Sequence, residues 1–413
     1  MDRAFLERYA DVLLTAVNLQ VGQNLLVRAE PVHLGFAGVL AARAYARGAR
    51  YVRFDNSEIE NPVMYRARIE HSREEYLEYV PRTRLEAMKA MIEEDWALIA
   101  VRTPEDPDFL APLDRDRNAR AARAIAAEMR PYQARVNNNE IAWLVAFYPT
   151  AKLAGRIMDM PPGDAAIDAL WKVLIPILRL DRPDPAGFWD AHGEELAGRA
   201  DKLNSLRLDA VRFTGPGTDL TIGLLDGSIW RGGPDHTRSG RKFNPNIPTE
   251  EVFTSPDSRR ASGRVAFTRP VFVPIIGKTI EGGWLRFEGG DVVEYGAASG
   301  RDVLDSYLAM DEGAKRLGEV ALVDTSSPIF MSNRTFYNIL FDENAACHIA
   351  LGSAYPGCVK DGDSMSERRL AEMGANSSAV HTDFMIGSPD VEVLGLSRDG
   401  RTIPIIAGGR FAL

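Results

Sequence analysis

Hydrophobic and polar positions follow one texture over roughly the first 180 residues of this chain and another over the rest. In the first stretch, helical and strand periods take turns. Residues 4–18 space their apolar side chains as one face of a helix, and Asn24-Leu25-Leu26-Val27-Arg28 is a short strand. An Ala-rich helix is predicted over 33–47, with Gly48 placed to stop it. Strands follow at Tyr51-Val52-Arg53-Phe54 and 96–101, helical stretches at 72–94 and 113–129, and a buried strand at 141–147. This rhythm predicts an α/β N-terminal domain with a mostly parallel sheet flanked by helices. No glycine-rich nucleotide fingerprint follows the first strand, so the architecture alone implies no nucleotide.

A proline-spaced segment from Pro161-Pro162 to Pro183-Asp184-Pro185, with a helix around 163–179, leads to a domain boundary expected between 180 and 205. The domains are taken as 1–190 and 191–413. Beyond the boundary come short strands with glycine turns: 209–213, 220–224, and an alternating stretch over 264–296 punctuated by Gly282-Gly283 and Gly289-Gly290. This half reads as α+β, mainly antiparallel, and carries the candidate chemistry. Its one well-marked helix is predicted at 301–317, with Asp302 in the first turn, Lys315-Arg316 in the last and Gly318 as the stop. Glu319 would leave that helix directly before Val320-Ala321-Leu322-Val323.

The length of 413 residues at 45% hydrophobic composition is enough for two cores. A net charge of −9 argues against nucleic-acid binding through bulk electrostatics. The two cysteines, Cys347 and Cys358, are too few for a disulfide framework and read as one buried thiol and one loop thiol. The N-terminus carries Asp2, Arg3, Glu7, Arg8 and Asp11, unlike the apolar core of a signal peptide, and no run of about 18 apolar residues suggests a membrane span. A cytoplasmic protein is expected.

Imidazole and carboxylate are the side chains that bind borderline divalent metals, and the last third of the chain offers both in apolar surroundings. Val380-His381-Thr382-Asp383-Phe384-Met385-Ile386-Gly387 looks like a strand, on which His381 and Asp383 point to the same face and can converge on one ion. His348 stands alone among apolar residues. Glu343 lies five positions before it, about 140° away on a regular helix, so either the chain breaks between them or Glu343 is not a direct ligand. Tyr355 would return to the face of His348 if that segment were helical. Of Glu250-Glu251, adjacent on a strand, one would point inward; pattern does not say which. Two divalent ions bring a charge that three carboxylates and a hydroxide nearly neutralise, whereas one ion would be over-compensated, so the set favours a dinuclear site. His33, His71, His192 and His236 have no partner at ligand spacing and are assigned to surface or capping roles.

Several blocks carry a resemblance: Trp143 to Thr150, Gly217-Thr218-Asp219-Leu220 with Trp230-Arg231-Gly232-Gly233, and Pro248-Thr249-Glu250-Glu251-Val252-Phe253-Thr254. They continue at Leu317-Gly318-Glu319-Val320-Ala321, at 341–352 around His348, and at 376–387 around His381 and Asp383. Together they make the chain resemble the thermophilic-type metallo-aminopeptidase family, which includes aminopeptidases T, S and PepS. The resemblance implies removal of N-terminal residues from peptides by a cocatalytic pair of ions, zinc or cobalt, with manganese as a further choice. It places ligands on one of the 250–251 pair, on Glu319 as bridge, and on His348, His381 and Asp383. Glu343 matches a position sometimes counted as a ligand, and Tyr355 a catalytic tyrosine. As a working assignment Glu251 is the ligand, and Glu250, Glu343 and Tyr355 are catalytic. A homodimer is also implied.

The expected mechanism is attack of a metal-bridged hydroxide on the first peptide carbonyl, with proton transfer by Glu250 or Glu343 and oxyanion stabilisation by Tyr355. Two alternatives use the same residues: a mononuclear non-haem iron oxygenase with a two-histidine, one-carboxylate site, which leaves the surplus acids unexplained, and a peptide-binding scaffold with a relic metal site.

Overall fold

The computed structural model describes residues 2–55, 61–110 and 112–413. The chain forms two compact units: Met1–Ala191 with Pro234–Ile247, and His192–Gly233 with Pro248–Leu413. The first is built on four parallel strands, β1 (Asn24–Arg28), β2 (Tyr51–Asp55), β3 (Ala97–Val101) and β4 (Trp143–Ala146), in the order β2-β1-β3-β4. Every residue of β1 and β3 is buried, as expected for inner strands covered on both faces, while β2 at the edge is partly accessible.

Helices differ from expectation where proline intervenes. The stretch 72–94 is not one helix: a separate helix over Pro62–His71 precedes it, and it holds a short 3-10 turn, Glu74–Tyr76, and a helix over Arg82–Glu93. Pro81 directly precedes the last and keeps Val80 out of helical conformation. The helix predicted at 113–129 runs over Arg115–Asn137 and passes through Pro131. The segment 180–205 is mostly a helix, Pro185–Leu206.

The second unit begins with β5 (Leu208–Gly215) and β6 (Thr218–Leu224). The chain then returns to the first unit for a small hairpin, β7 (Asp235–His236) with β8 (Lys242–Phe243). It re-enters the second unit through β9 (Glu251–Thr254), β10 (Pro256–Ala266), the hairpin β11 (Val271–Val273) and β12 (Lys278–Ile280), then β13 (Trp284–Glu288) and β14 (Asp291–Gly296). The remaining strands are β15 (Leu317–Val323), β16 (His348–Gly352), β17 (His381–Met385), β18 (Glu392–Ser397), β19 (Thr402–Ala407) and β20 (Arg410–Phe411). An eight-stranded sheet runs β14-β13-β10-β6-β5-β18-β19-β20 and a four-stranded sheet runs β17-β16-β15-β9, with antiparallel pairing throughout. One apolar core takes side chains from both sheets, among them Phe213, Ile222, Leu322, Ile349 and Phe384.

The helix predicted at 301–317 stops at Leu308. Asp311 turns the chain instead: its carboxylate accepts from the N–H of Ala314 and of Ala379 and from the Ser378 hydroxyl. Leu317 and Gly318, read as the end of the helix, open strand β15, so Glu319 sits inside a strand rather than at a helix exit. Both cysteines are buried, Cys358 included. Among the described residues no helix is long and apolar enough to cross a membrane.

Candidate metal centre

The four-stranded sheet sorts its side chains by parity. Val252, Val320, Leu322, Ile349, Leu351 and Phe384 enter the apolar core from one face. The other face receives Glu251, Glu319, His348, His381 and Asp383, each offset from those residues by an odd number of positions. Registry aligns them: Asp383 lies opposite Ala350, which lies opposite Glu319, while Ala321 faces His348 and Gly352 faces His381. Alanine and glycine at these intervening positions leave the centre of the face open. Gly352 is required by its backbone as well, with φ at +113° and Val380 O only 2.0 Å from where a β-carbon would sit.

Two groups of potential ligand atoms result, Glu251 with Glu319 and His348, and Glu319 with His381 and Asp383. Glu319 belongs to both. Its Oε1 lies 3.7 Å from His348 Nε2 and its Oε2 3.5 Å from His381 Nε2. His348 Nε2 is also 3.2 Å from Glu251 Oε2, and His381 Nε2 is 3.5 Å from Asp383 Oδ1. Each ring is oriented from behind: Nδ1–H of His348 donates to Ala346 O (3.1 Å) and that of His381 to Ser353 O (2.8 Å), so both present Nε2 to the cluster. Glu251 Oε2 is buried without a well-formed hydrogen bond, an acceptor suited to a cation. The donor set fits a divalent metal of zinc type.

Electrostatics point the same way. Burial, followed by repulsion from neighbouring carboxylates, raises the pKa of Glu319, and that of Glu343 rises well above the ordinary range through burial and the charges of Glu251 and Asp383. Burial opposes protonation of both histidines, yet the surrounding carboxylates prevail: His348 is raised well above its usual value and His381 to about 9. Asp383 is lowered, because His381 and His348 outweigh its burial. A negative pocket that retains protons on its imidazoles is one in which a cation can take their place.

Glu343 lies in a 3-10 turn over Glu343–Ala345, and Ala346 is extended before β16 starts, so the chain breaks between Glu343 and His348. Glu343 is not a member of either ligand group. Tyr355 reaches the site from a loop beyond β16, not from a helix; its ring meets that of His381 edge-on at 5.0 Å. The Ser255 hydroxyl accepts from Tyr355 N–H (3.1 Å) and donates to Tyr355 O (3.2 Å), fixing that loop. Although almost half of Tyr355 is accessible, desolvation and then the charges of Glu319 and Asp383 raise its pKa well above that of an ordinary phenol. Glu250 precedes β9 and is in neither ligand group; its Oε2 lies 3.1 Å from His192 Nε2.

Sequence reasoning missed Asn344, which is fully buried: its Oδ1 accepts from Glu250 N–H at 2.6 Å and its Nδ2 donates to Leu340 O and, at 3.4 Å, to Glu343 Oε1. Only its position within the 341–352 block hinted at it. Two of the four histidines assigned to surface or capping roles are also placed otherwise. His33 is buried against Thr103 O (2.7 Å) without capping a helix through its side chain, and the His192 side chain is only 10% exposed.

Comparison with known proteins agrees with this geometry. The chain matches the model of the thermophilic metalloprotease (M29) family over residues 2–411. It is similar to aminopeptidase 2 of Geobacillus stearothermophilus, at 38% identity over 98% of this chain and 97% of that protein. It is also 38% identical to aminopeptidase T of Thermus aquaticus, over 96% of this chain and 95% of the relative. The solved structure of wild-type AmpT from Thermus thermophilus matches with a TM-score of 0.90 at 35% identity, covering 99% of each chain. Nothing in these matches favours an oxygenase. Agreement that runs almost end to end in sequence and fold shows that the chain belongs to the thermophilic metalloproteases of family M29, peptidases that depend on a divalent metal.

Proposed function

We propose that the chain is a dinuclear metallo-aminopeptidase that removes N-terminal residues from peptides, as the names of its relatives suggest. Two ions would share Glu319, with Glu251 and His348 holding one and His381 and Asp383 holding the other. The observation that carries this reading is the division of Glu319, one oxygen toward each histidine-containing group. Three carboxylates suit the charge of two divalent ions better than one. Zinc or cobalt matches the mixed nitrogen and oxygen donors, with manganese as a further choice.

The ions, when bound, supply a water acidified toward neutrality and a Lewis acid for the scissile carbonyl. Around them the protein handles protons and charge. Glu250, outside both ligand groups, takes a proton on its carboxylate and passes it to the leaving amine, with Glu343 as the neighbouring acid that assists. Tyr355, kept protonated by burial and then by the carboxylates around it, donates a hydrogen bond to the tetrahedral oxyanion. The reading extends to a cytoplasmic homodimer that acts on peptides and has neither nucleic-acid nor membrane partners, in keeping with the net charge of −9.

Leucyl-4-nitroanilide tests it. Hydrolysis should be suppressed by a chelator and restored by added zinc or cobalt, and Glu319→Gln should lose activity with its circular dichroism unchanged. Full activity in that variant would rule out the bridge.

A further inference from the structure

We infer that His192 is a positioning residue for proton transfer: it holds the Glu250 carboxylate in its working orientation and touches neither substrate nor metal. The inference rests on the reading of Glu250 as the proton carrier. His192 Nε2 lies 3.1 Å from Glu250 Oε2 and 3.2 Å from Thr249 O. Thr249 O is an acceptor, so Nε2 carries the hydrogen and donates to it, with the Glu250 carboxylate within ion-pair reach of the same nitrogen. The His192 and Glu250 side chains are only 10% and 8% exposed, which removes water as a competitor for the contact.

Glu250 is thereby held at both ends. Its N–H is fixed by Asn344, which also reaches Glu343, and its carboxylate is fixed by His192. Otherwise a glutamate retains several rotatable bonds, and each turnover would have to bring the carboxylate back into line.

The fold invests in bringing His192 there. Asn204, on the same helix as His192, exchanges two hydrogen bonds with the backbone of Trp230, at 2.8 and 3.0 Å. Arg231 in turn exchanges two backbone hydrogen bonds of 2.8 Å with Phe253 of β9. Directly after these ties come Gly232 and Gly233. A β-carbon on Gly233, whose φ is +77°, would sit 2.1 Å from Gly193 O, and one on Gly232 would sit 2.7 Å from Val252 Cγ1. The Trp230-Arg231-Gly232-Gly233 block contributes no metal ligand. It lets the helix turn that carries His192 approach the start of β9, so helix, glycine pair and strand form one frame. His192 is in neither ligand group.

The test uses the full-length, metal-saturated enzyme, with leucyl-4-nitroanilide kinetics, melting temperature and elemental analysis of each variant. His192→Leu should lower kcat about 10- to 100-fold, with KM within about twofold and metal content as in the wild type. His192→Gln, whose side-chain amide can donate from a similar place, should recover most of that loss. In a Glu250→Gln background, His192→Leu should cost nothing further. If His192→Leu fails to fold, His192→Asn replaces it in the same comparison. Wild-type turnover in His192→Leu, metal lost in step with activity, or a loss that multiplies with that of Glu250→Gln would each overturn the inference. A fully active Glu250→Gln enzyme overturns the reading of Glu250 as well, whereas an impaired Glu250→Gln beside an unaffected His192→Leu removes His192 alone.

Discussion

His381 shows how closely this site couples protons to metal. Its pKa is raised from 6.5 to about 9, because the charges of Asp383 and Glu319 overcome burial. A histidine raised in the folded state contributes stability that is whole below its unfolded value and fades as pH rises through its folded one. Chelator-stripped protein should therefore lose melting temperature between about pH 6.5 and 9. Raised Glu319 and Glu343 push in the same direction, since they too hold extra protons in the folded state. Metal-loaded protein, in which a cation replaces those protons, should gain stability from its ion as pH rises into this range. A stripped protein whose melting temperature climbed from pH 6.5 to 9 would contradict the charge balance described for the cluster. Tyr355 is separable from the metal. Tyr355→Phe should retain full metal content and lose roughly 10²- to 10³-fold in kcat, as expected for removal of one oxyanion donor; unchanged kcat would exclude that role.

The sheet β17-β16-β15-β9 turns scattered residues into a site by presenting alternate positions to opposite faces. That logic was readable where two candidate ligands share a strand, as His381 and Asp383 do, because a period of two is visible over three residues. It was obscured at Glu319, where charges at both ends of 301–317 imitate helix termini while Asp311, through contacts with Ser378 and Ala379 far along the chain, stops the helix early. The order within Glu250-Glu251 depends on long-range partners, Asn344 for one and the registry of β9 with β15 for the other. His192 had no local signal, since its partner lies beyond two strands and a hairpin. The small residues between the candidate ligands matter as well. Ala350 stands between Asp383 and Glu319 and is fully buried, so Ala350→Leu should crowd the face at a cost of about 1–3 kcal/mol and reduce bound metal while the sheet persists. Undiminished metal content in that variant would show that the space above Ala350 is not needed.

The parallel and antiparallel halves of the fold were legible from the change of period, because β1 is centred on Leu25-Leu26-Val27 and β3 is apolar throughout, whereas the later strands alternate around glycine turns. The return of Pro234–Ile247 to the first unit carries no mark in composition, because it depends on pairings such as the bridge between Val145 and Asn246. Family membership extends across both units, over residues 2–411, and the ligand groups all lie in the second. The proposal adds a count of two ions, argued from a glutamate whose two oxygens face different histidines. Elemental analysis of metal-saturated, desalted protein measures that count. Two divalent ions per wild-type chain, falling to one or none in Glu319→Gln, is the predicted result; a single ion in the wild type, or two retained in the variant, would contradict the bridge.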